Sequence, residues 1–202
     1  MITVSRFYIK GIEKTVDFTI QNGVTFLEGD NGIGKTLFLD HLANLRKSRT
    51  GVLTGNESVV YMRQTFDFSF RLKVSQYIRF ITSLDRKQVT DFKQFLEVYD
   101  IDLDLEKIMN RKIGMLSGGE RRFLYLLTIL CIEKDWYLLD EPLANVDRKT
   151  RRQMMDVIQK KREEGKNFVI TSHIDLDLDN IHTINFSQLT EVEPPYLTEA
   201  AE

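Results

Sequence analysis

Residues 29–36 read GDNGIGKT: a glycine, four residues, then glycine, lysine and threonine. That spacing suits a loop that holds phosphate. Gly29, Gly32 and Gly34 let successive backbone N–H groups, those of Asp30, Asn31 and Ile33 among them, wrap phosphate oxygens where a helix begins. Lys35 has the reach and charge for β- and γ-phosphates, and the Thr36 hydroxyl can ligate magnesium. A second stretch, WYLLDE, completes the pair. An apolar strand ending in Asp140 sets a carboxylate where it can hold that metal. Glu141, one residue on, points to the other side of the strand end, toward an attacking water.

A third stretch, MLSGGERRF at residues 115–123, poses a question. A glycine in a helix costs about 1 kcal/mol relative to alanine, so two in a row need a reason. Close approach of the backbone amides to another group would be one, because only glycine permits it.

These residues need elements to position them. ITVSRFYIKG and KTVDFTIQNG alternate apolar and polar residues around a turn at Gly11, as two antiparallel strands do. VTFLEG is a short buried strand running into the glycine-rich loop. LFLDHLANLRK then carries Phe38, Leu42 and Leu45 at helical spacing. SVVYMRQ is another buried strand. From Phe66 to about Arg111 the pattern is helical: Asp85 with Gln88 forms a capping box, ahead of a stripe of Val89, Phe92, Phe95 and Leu96. DWYLLDEP and NFVITSH end as parallel strands of an α/β sheet do. The amphipathic helix between them has Asp147 as N-cap and Gly165 as stop. IHTINF is a last strand, and residues 189–202 form an acidic, loosely ordered tail.

Composition narrows the class. The 202 residues are 42% hydrophobic and 29% charged, ordinary for a globular protein. A net charge of −2 gives no electrostatic case for nucleic acid as a partner. The single cysteine, Cys131, rules out a disulfide framework and fits a reducing cytoplasm. The N-terminus lacks the pattern of a signal peptide. The longest apolar run, residues 123–132, is about half a bilayer span, so the chain is not expected to cross a membrane by itself.

Taken in order, GDNGIGKT, Gln64 after a strand, LSGGE, LLDEP, ANVD and the histidine ending VITSH resemble the nucleotide-binding domain of ABC-type ATPases. The resemblance runs from about residue 3 to residue 186. It implies one α/β domain over 1–202: a P-loop NTPase core of mostly parallel sheet, an N-terminal antiparallel β subdomain, and a helical insert of about 66–125 carrying the signature motif. It implies magnesium-dependent ATP hydrolysis, with ATP and Mg2+ as the bound species. Ser117, Gly118 and Gly119 would then bind the γ-phosphate of ATP held by a second copy in a head-to-tail dimer, so that one chain alone is nearly inactive. Gln64 resembles the residue that senses metal and water, and joins Thr36 and Asp140 around the metal. His173 resembles the switch histidine that helps position water. Asp147 resembles the aspartate of the loop that crosses between protomers. His41 and His182 match nothing and read as surface or core-edge residues.

Two positions depart from the family pattern. Leu37 stands where a second hydroxyl is usual, which removes a side-chain contact to the α-phosphate. The aromatic expected to stack adenine is Phe7 or Tyr8, each of which could instead be a core residue. The family implies a subunit on the inner face of the cell membrane, powering transmembrane subunits that are separate chains. The insert segment RLKVSQYIRFI resembles the region near the groove for their cytoplasmic helix; Val74, Tyr77, Ile78 and Ile81 could equally form the insert's own core. A soluble ATPase of the same superfamily, such as an iron–sulfur assembly scaffold, is the alternative. Only 80 residues separate Thr36 from Leu116, too few for the coiled-coil arm of the chromosome-organising members. A nucleoside kinase would not explain LSGGE. A catalytically dead module would not need both Glu141 and His173.

Overall fold

Strands β1 (Ile2–Ile9) and β2 (Lys14–Ile20) pair antiparallel, and β4 (Val52–Thr54) pairs with the other edge of β1. The structure is a computed structural model and describes residues 1–173 and 178–188. The tail expected over 189–202 lies outside the described residues. Strand β1 is not regular. Its register to β2 shifts between Val4 and Phe7, where Arg6 adopts a φ of +47°. A bulge of this kind moves the inward face by one residue. Ile2 and Val4 point inward before it, Phe7 and Ile9 after it.

Strand β3 (Val24–Glu28) leads into the glycine-rich loop and helix α1 (Lys35–Leu42). With β5 (Val59–Met62), β6 (Trp136–Asp140), β7 (Asn167–Thr171) and β8 (His182–Asn185) it forms a parallel sheet of order β5-β6-β7-β3-β8. Strand β6 is buried along its whole length because both faces are covered. On one face Trp136 and Leu138 meet Phe38, Leu39 and Leu42 of α1 and the antiparallel sheet. On the other, Tyr137 and Leu139 belong to a core that continues through α5 (Gly118–Cys131) and α6 (Arg148–Glu163) into the insert. The insert consists of α2 (Val74–Leu84), α3 (Val89–Val98) and the short α4 (Leu105–Ile108), followed by α5. Among the described residues no helix is long and apolar enough to cross a membrane.

Asp147 caps α6 by accepting from the Thr150 N–H at 3.0 Å, and Gly165, with φ +85°, follows its end. Four local expectations need correction. Helix α3 is capped at Gln88, whose N–H is taken by Asp91, whereas Asp85 closes α2 and accepts from the Glu133 N–H at 3.0 Å. Helix α1 stops at Leu42, so Leu45 lies beyond it and is 59% exposed. Strand β5 is an edge strand, and only Met62 of its four residues is buried. His41 is a core residue, not a surface one: its ring packs edge-on to Phe7 at 5.1 Å.

Candidate active site

The carboxyl ends of β3, β6 and β7 fall at one edge of the parallel sheet, where ligands of open α/β folds collect. Each contributes a side chain or loop. After β3 the chain turns through Gly29, Gly32 and Gly34, with φ of +148°, +79° and +106°. These are values that glycine adopts without strain. Gly34 is the N-cap of α1, and no side chain caps that helix. Its first amides therefore face a cavity of 290 Å³ lined by Asn31, Gly32, Gly34, Lys35, Thr36 and Leu37. Lys35 is buried, with its ammonium donating to the Gly29 and Asp30 carbonyls at 2.5 and 3.0 Å.

Asp140 and Glu141 complete the cavity with Gln64 and His173. The two adjacent carboxylates face different partners. Asp140 Oδ2 accepts from the Thr36 hydroxyl at 2.8 Å, and Oδ1 accepts from the Thr171 hydroxyl at 2.6 Å. Glu141 is 7% exposed and turns toward His173, whose N–H donates to Oε2 at 3.2 Å and whose Nε2 lies 3.1 Å from Oε1. What separates them is the backbone. Glu141 has a φ of +52°, which costs a non-glycine residue about 1 kcal/mol or more. Its N–H donates to both the carbonyl and the hydroxyl of Thr171 at 3.1 and 3.0 Å.

Arg122 holds the same turn from the opposite side, and nothing in the motif spacing singled it out. Rising from α5 into the core, it is 9% exposed and donates to four carbonyls. These are Pro142 at 3.1 Å, Asp140 at 2.9 Å, Gln64 at 2.6 Å, and Glu141. Burial lowers the pKa of its guanidinium. The sequence did carry a signal for it: an arginine on a helix whose following positions, Phe123 to Leu127, are all apolar. Such a charge has to be satisfied inside.

Ser117, Gly118 and Gly119 do not line this cavity. Ser117 caps α5, accepting from the Glu120 N–H at 3.1 Å while Glu120 accepts from the Ser117 N–H at 2.6 Å. That second bond is the main reason the Glu120 carboxyl is held below its usual range. Neither glycine has a left-handed φ. A methyl group at Gly118 would meet nothing within 4 Å, and one at Gly119 would touch the Asn145 carbonyl at 3.5 Å and Val146 Cα at 4.0 Å, both ordinary contacts. Folding of this chain therefore gives no steric reason for either glycine. The same contact sets the LSGGE helix start beside the loop that leads to Asp147, which is exposed.

Phe7, expected as one of two aromatics for adenine, does not face a ligand. The bulge in β1 turns it inward, where it is 5% exposed and packed on His41. Tyr8 faces outward, half-buried, with its hydroxyl donating to Glu13. The turn after it reaches the phosphate loop. Leu37 lies under Gly11, and Ile12 lies against Gly34, so close that a methyl group on Gly34 would sit 2.8 Å from it. Val74, Tyr77, Ile78 and Ile81 are all buried in the insert's core, so they are not an open surface for a partner.

The family model for ABC transporters matches residues 14–144. A putative ABC transporter ATP-binding protein of Archaeoglobus fulgidus is 31% identical over 187 residues, covering 82% of this chain and 62% of its own length. The manganese transport system ATP-binding protein MntA of Synechocystis is 30% identical over 82% of this chain and 69% of its own. A putative ABC transporter ATP-binding protein of Pyrococcus furiosus superposes with a TM-score of 0.76 at 20% identity, over 94% of this chain and 98% of that one. A dimeric bacterial ABC transporter cassette gives 0.76 at 19% identity, over 94% and 96%. The chain belongs to the ABC transporter family.

Proposed function

We propose that the chain binds ATP with magnesium in this cavity and hydrolyses it to drive a transporter whose membrane-spanning subunits are separate chains. The observation that carries the reading is the meeting, in one cavity, of an uncapped helix start, Lys35, the Thr36–Asp140 pair and the Glu141–His173 pair. The donor set fits magnesium. Thr36 and Asp140 offer hard oxygen ligands side by side, and no cluster of three or more His, Cys, Asp or Glu exists among the described residues. Magnesium suits such a site, since it is usually held by one or two carboxylates plus phosphate oxygens and water. When bound, it would offset charge on the phosphates.

The residues divide the work. Amides of the loop and Lys35 bind and orient the phosphates, and Lys35 stabilises charge that builds on them. Glu141 polarises the attacking water or takes its proton. His173, in contact with Glu141, helps hold that water in place. Gln64 joins the metal and water side of the cavity. Ser117, Gly118, Gly119 and Asp147 act on ATP held by a second copy of the domain; the open space at Gly118, and the lack of any steric need for glycine at either position, support this. Tyr8 is the remaining aromatic candidate for the base.

A groove of 490 Å³ beside Gln64, walled by Val59, Tyr61, Phe68 and Tyr125 with Arg63 and Asp67 at hand, is where a cytoplasmic helix of the membrane subunit would dock. In this reading the protein works on the inner face of the cell membrane through that partner. The names of the relatives support transport; nothing favours the iron–sulfur scaffold reading.

The test is a pair of variants. Glu141→Gln should keep ATP binding and lose turnover, because only the basicity of that side chain changes. Lys35→Ala should weaken binding itself. Turnover of Glu141→Gln near the wild-type rate would refute the role given to Glu141.

A further inference from the structure

Tyr61 has no part in the mechanism above, yet its hydroxyl reaches the metal-side carboxylate. It donates to Asp140 Oδ2 at 3.4 Å, the same oxygen that the Thr36 hydroxyl approaches at 2.8 Å. Strand register places it there. Tyr61 sits opposite Leu138 on the neighbouring strand β6, which ends two residues later in Asp140. A second carboxylate, Asp40, is also close enough to act on it, but Asp40 is already paired: Arg46 Nε donates to its Oδ2 at 2.9 Å and Arg63 lies 3.6 Å from its Oδ1. The tyrosine proton is left for Asp140.

We propose that Tyr61 is a positioning residue that keeps Asp140 aimed at the cation, and that it does so from the wall of the partner groove. This rests on the reading of Thr36 and Asp140 as the magnesium site. Thr36 is itself a ligand in that reading, so its bond to Asp140 cannot also be relied on to hold the carboxylate once a cation lies between them. Tyr61 and Thr171 have no such double duty, and each serves a different oxygen of Asp140. Groups that orient a metal ligand commonly change metal affinity by ten- to a hundredfold when removed. At 3.4 Å the bond is long, which puts the effect of Tyr61 lower, at about fivefold. Since the Tyr61 ring lines the groove as well, a segment seated there would press on the residue that aims Asp140.

The experiment measures ATP affinity of the Glu141→Gln protein at equilibrium, with Mg2+ and with EDTA; the ratio of the two is the magnesium gain. Adding Tyr61→Phe should cut that gain about fivefold, leave the EDTA affinity unchanged and leave the melting temperature unchanged, because the ring stays in place. An undiminished gain, or a loss of affinity that is equal with and without Mg2+, would overturn the role of Tyr61. Thr36→Val separates this from the reading beneath it. That variant should abolish the gain; if the gain persists, the cation is held elsewhere, and the magnesium site and the proposal fall together.

Discussion

Replacing Arg122 by methionine would remove one guanidinium from four carbonyls while keeping most of the side-chain volume. Each hydrogen bond to a buried carbonyl contributes about 1 kcal/mol net, so four amount to about 4 kcal/mol. Burying the charge, which the lowered pKa of Arg122 registers, offsets part of this. The expected loss is about 2–4 kcal/mol, read as a lower urea midpoint at unchanged slope. The consequence for chemistry is more specific. Two of the four carbonyls belong to Asp140 and Glu141, and the donor helps to hold Glu141 at its φ of +52°. Released, that turn relaxes and Glu141 leaves His173. Turnover should fall at least tenfold while the KM for ATP changes little, since the phosphate loop is untouched. Arg122→Lys should recover some stability and little turnover, because an ammonium lacks the planar fork that spans several carbonyls. Purified protein, urea titration and steady-state ATPase assays suffice. An Arg122→Met protein with wild-type midpoint and turnover would refute the argument; lost stability with full turnover would confine Arg122 to the fold.

Further predictions concern the glycines and His41. Gly34→Ala should abolish ATP binding, since its φ of +106° and the 2.8 Å approach to Ile12 leave no room for a methyl group. Gly118→Ala should leave the melting temperature unchanged or higher, because the position is open and alanine favours helix, yet it should impair any pairing of two chains that ATP induces. Burial holds the His41 imidazole below its ordinary pKa of 6.5. The unfolded chain therefore takes up this proton first as pH falls, and stability should drop from about pH 6.5 downward until the folded pKa is passed. Urea midpoints at pH 7.5 and 5.5 should differ less in His41→Leu than in the wild type; an equal difference would remove His41 from the pH response.

Much of the chemistry was legible because it is local in sequence. The phosphate loop, Asp140 with Glu141, and the cap at Asp147 each depend on a few consecutive residues, and the fold brings the first two together with Gln64 and His173. The short, continuous apolar runs of β6 and β7 also marked them as strands of a parallel sheet. What escaped depends on longer-range geometry. A single bulge at Arg6 reverses which of Phe7 and Tyr8 faces inward, and no alternation pattern reports a bulge that has no glycine to mark it. The apolar run after Arg122 signals that its charge is buried, but not where it goes: its four acceptors are backbone atoms from two other segments, and backbone atoms leave no trace in residue types. Asp85 and Gln88 fit a capping box by spacing alone, but Asp91 provides the carboxylate at the true helix start. Leu45 kept helical spacing past a helix that had already ended.

If LSGGE works on nucleotide held by another copy of the chain, light scattering will show it. Glu141→Gln protein should be a dimer in ATP with Mg2+ and a monomer in ADP, because the γ-phosphate is the group the partner's Ser117, Gly118 and Gly119 would grasp. Adding Ser117→Arg should abolish the dimer while leaving the ATP affinity of the monomer nearly intact. The helix loses its cap at a cost of about 1 kcal/mol, which the rest of α5, buried along most of its length, can sustain. A double variant that still dimerises in ATP, or one whose monomer no longer binds ATP, would contradict the account and return the signature to its own chain.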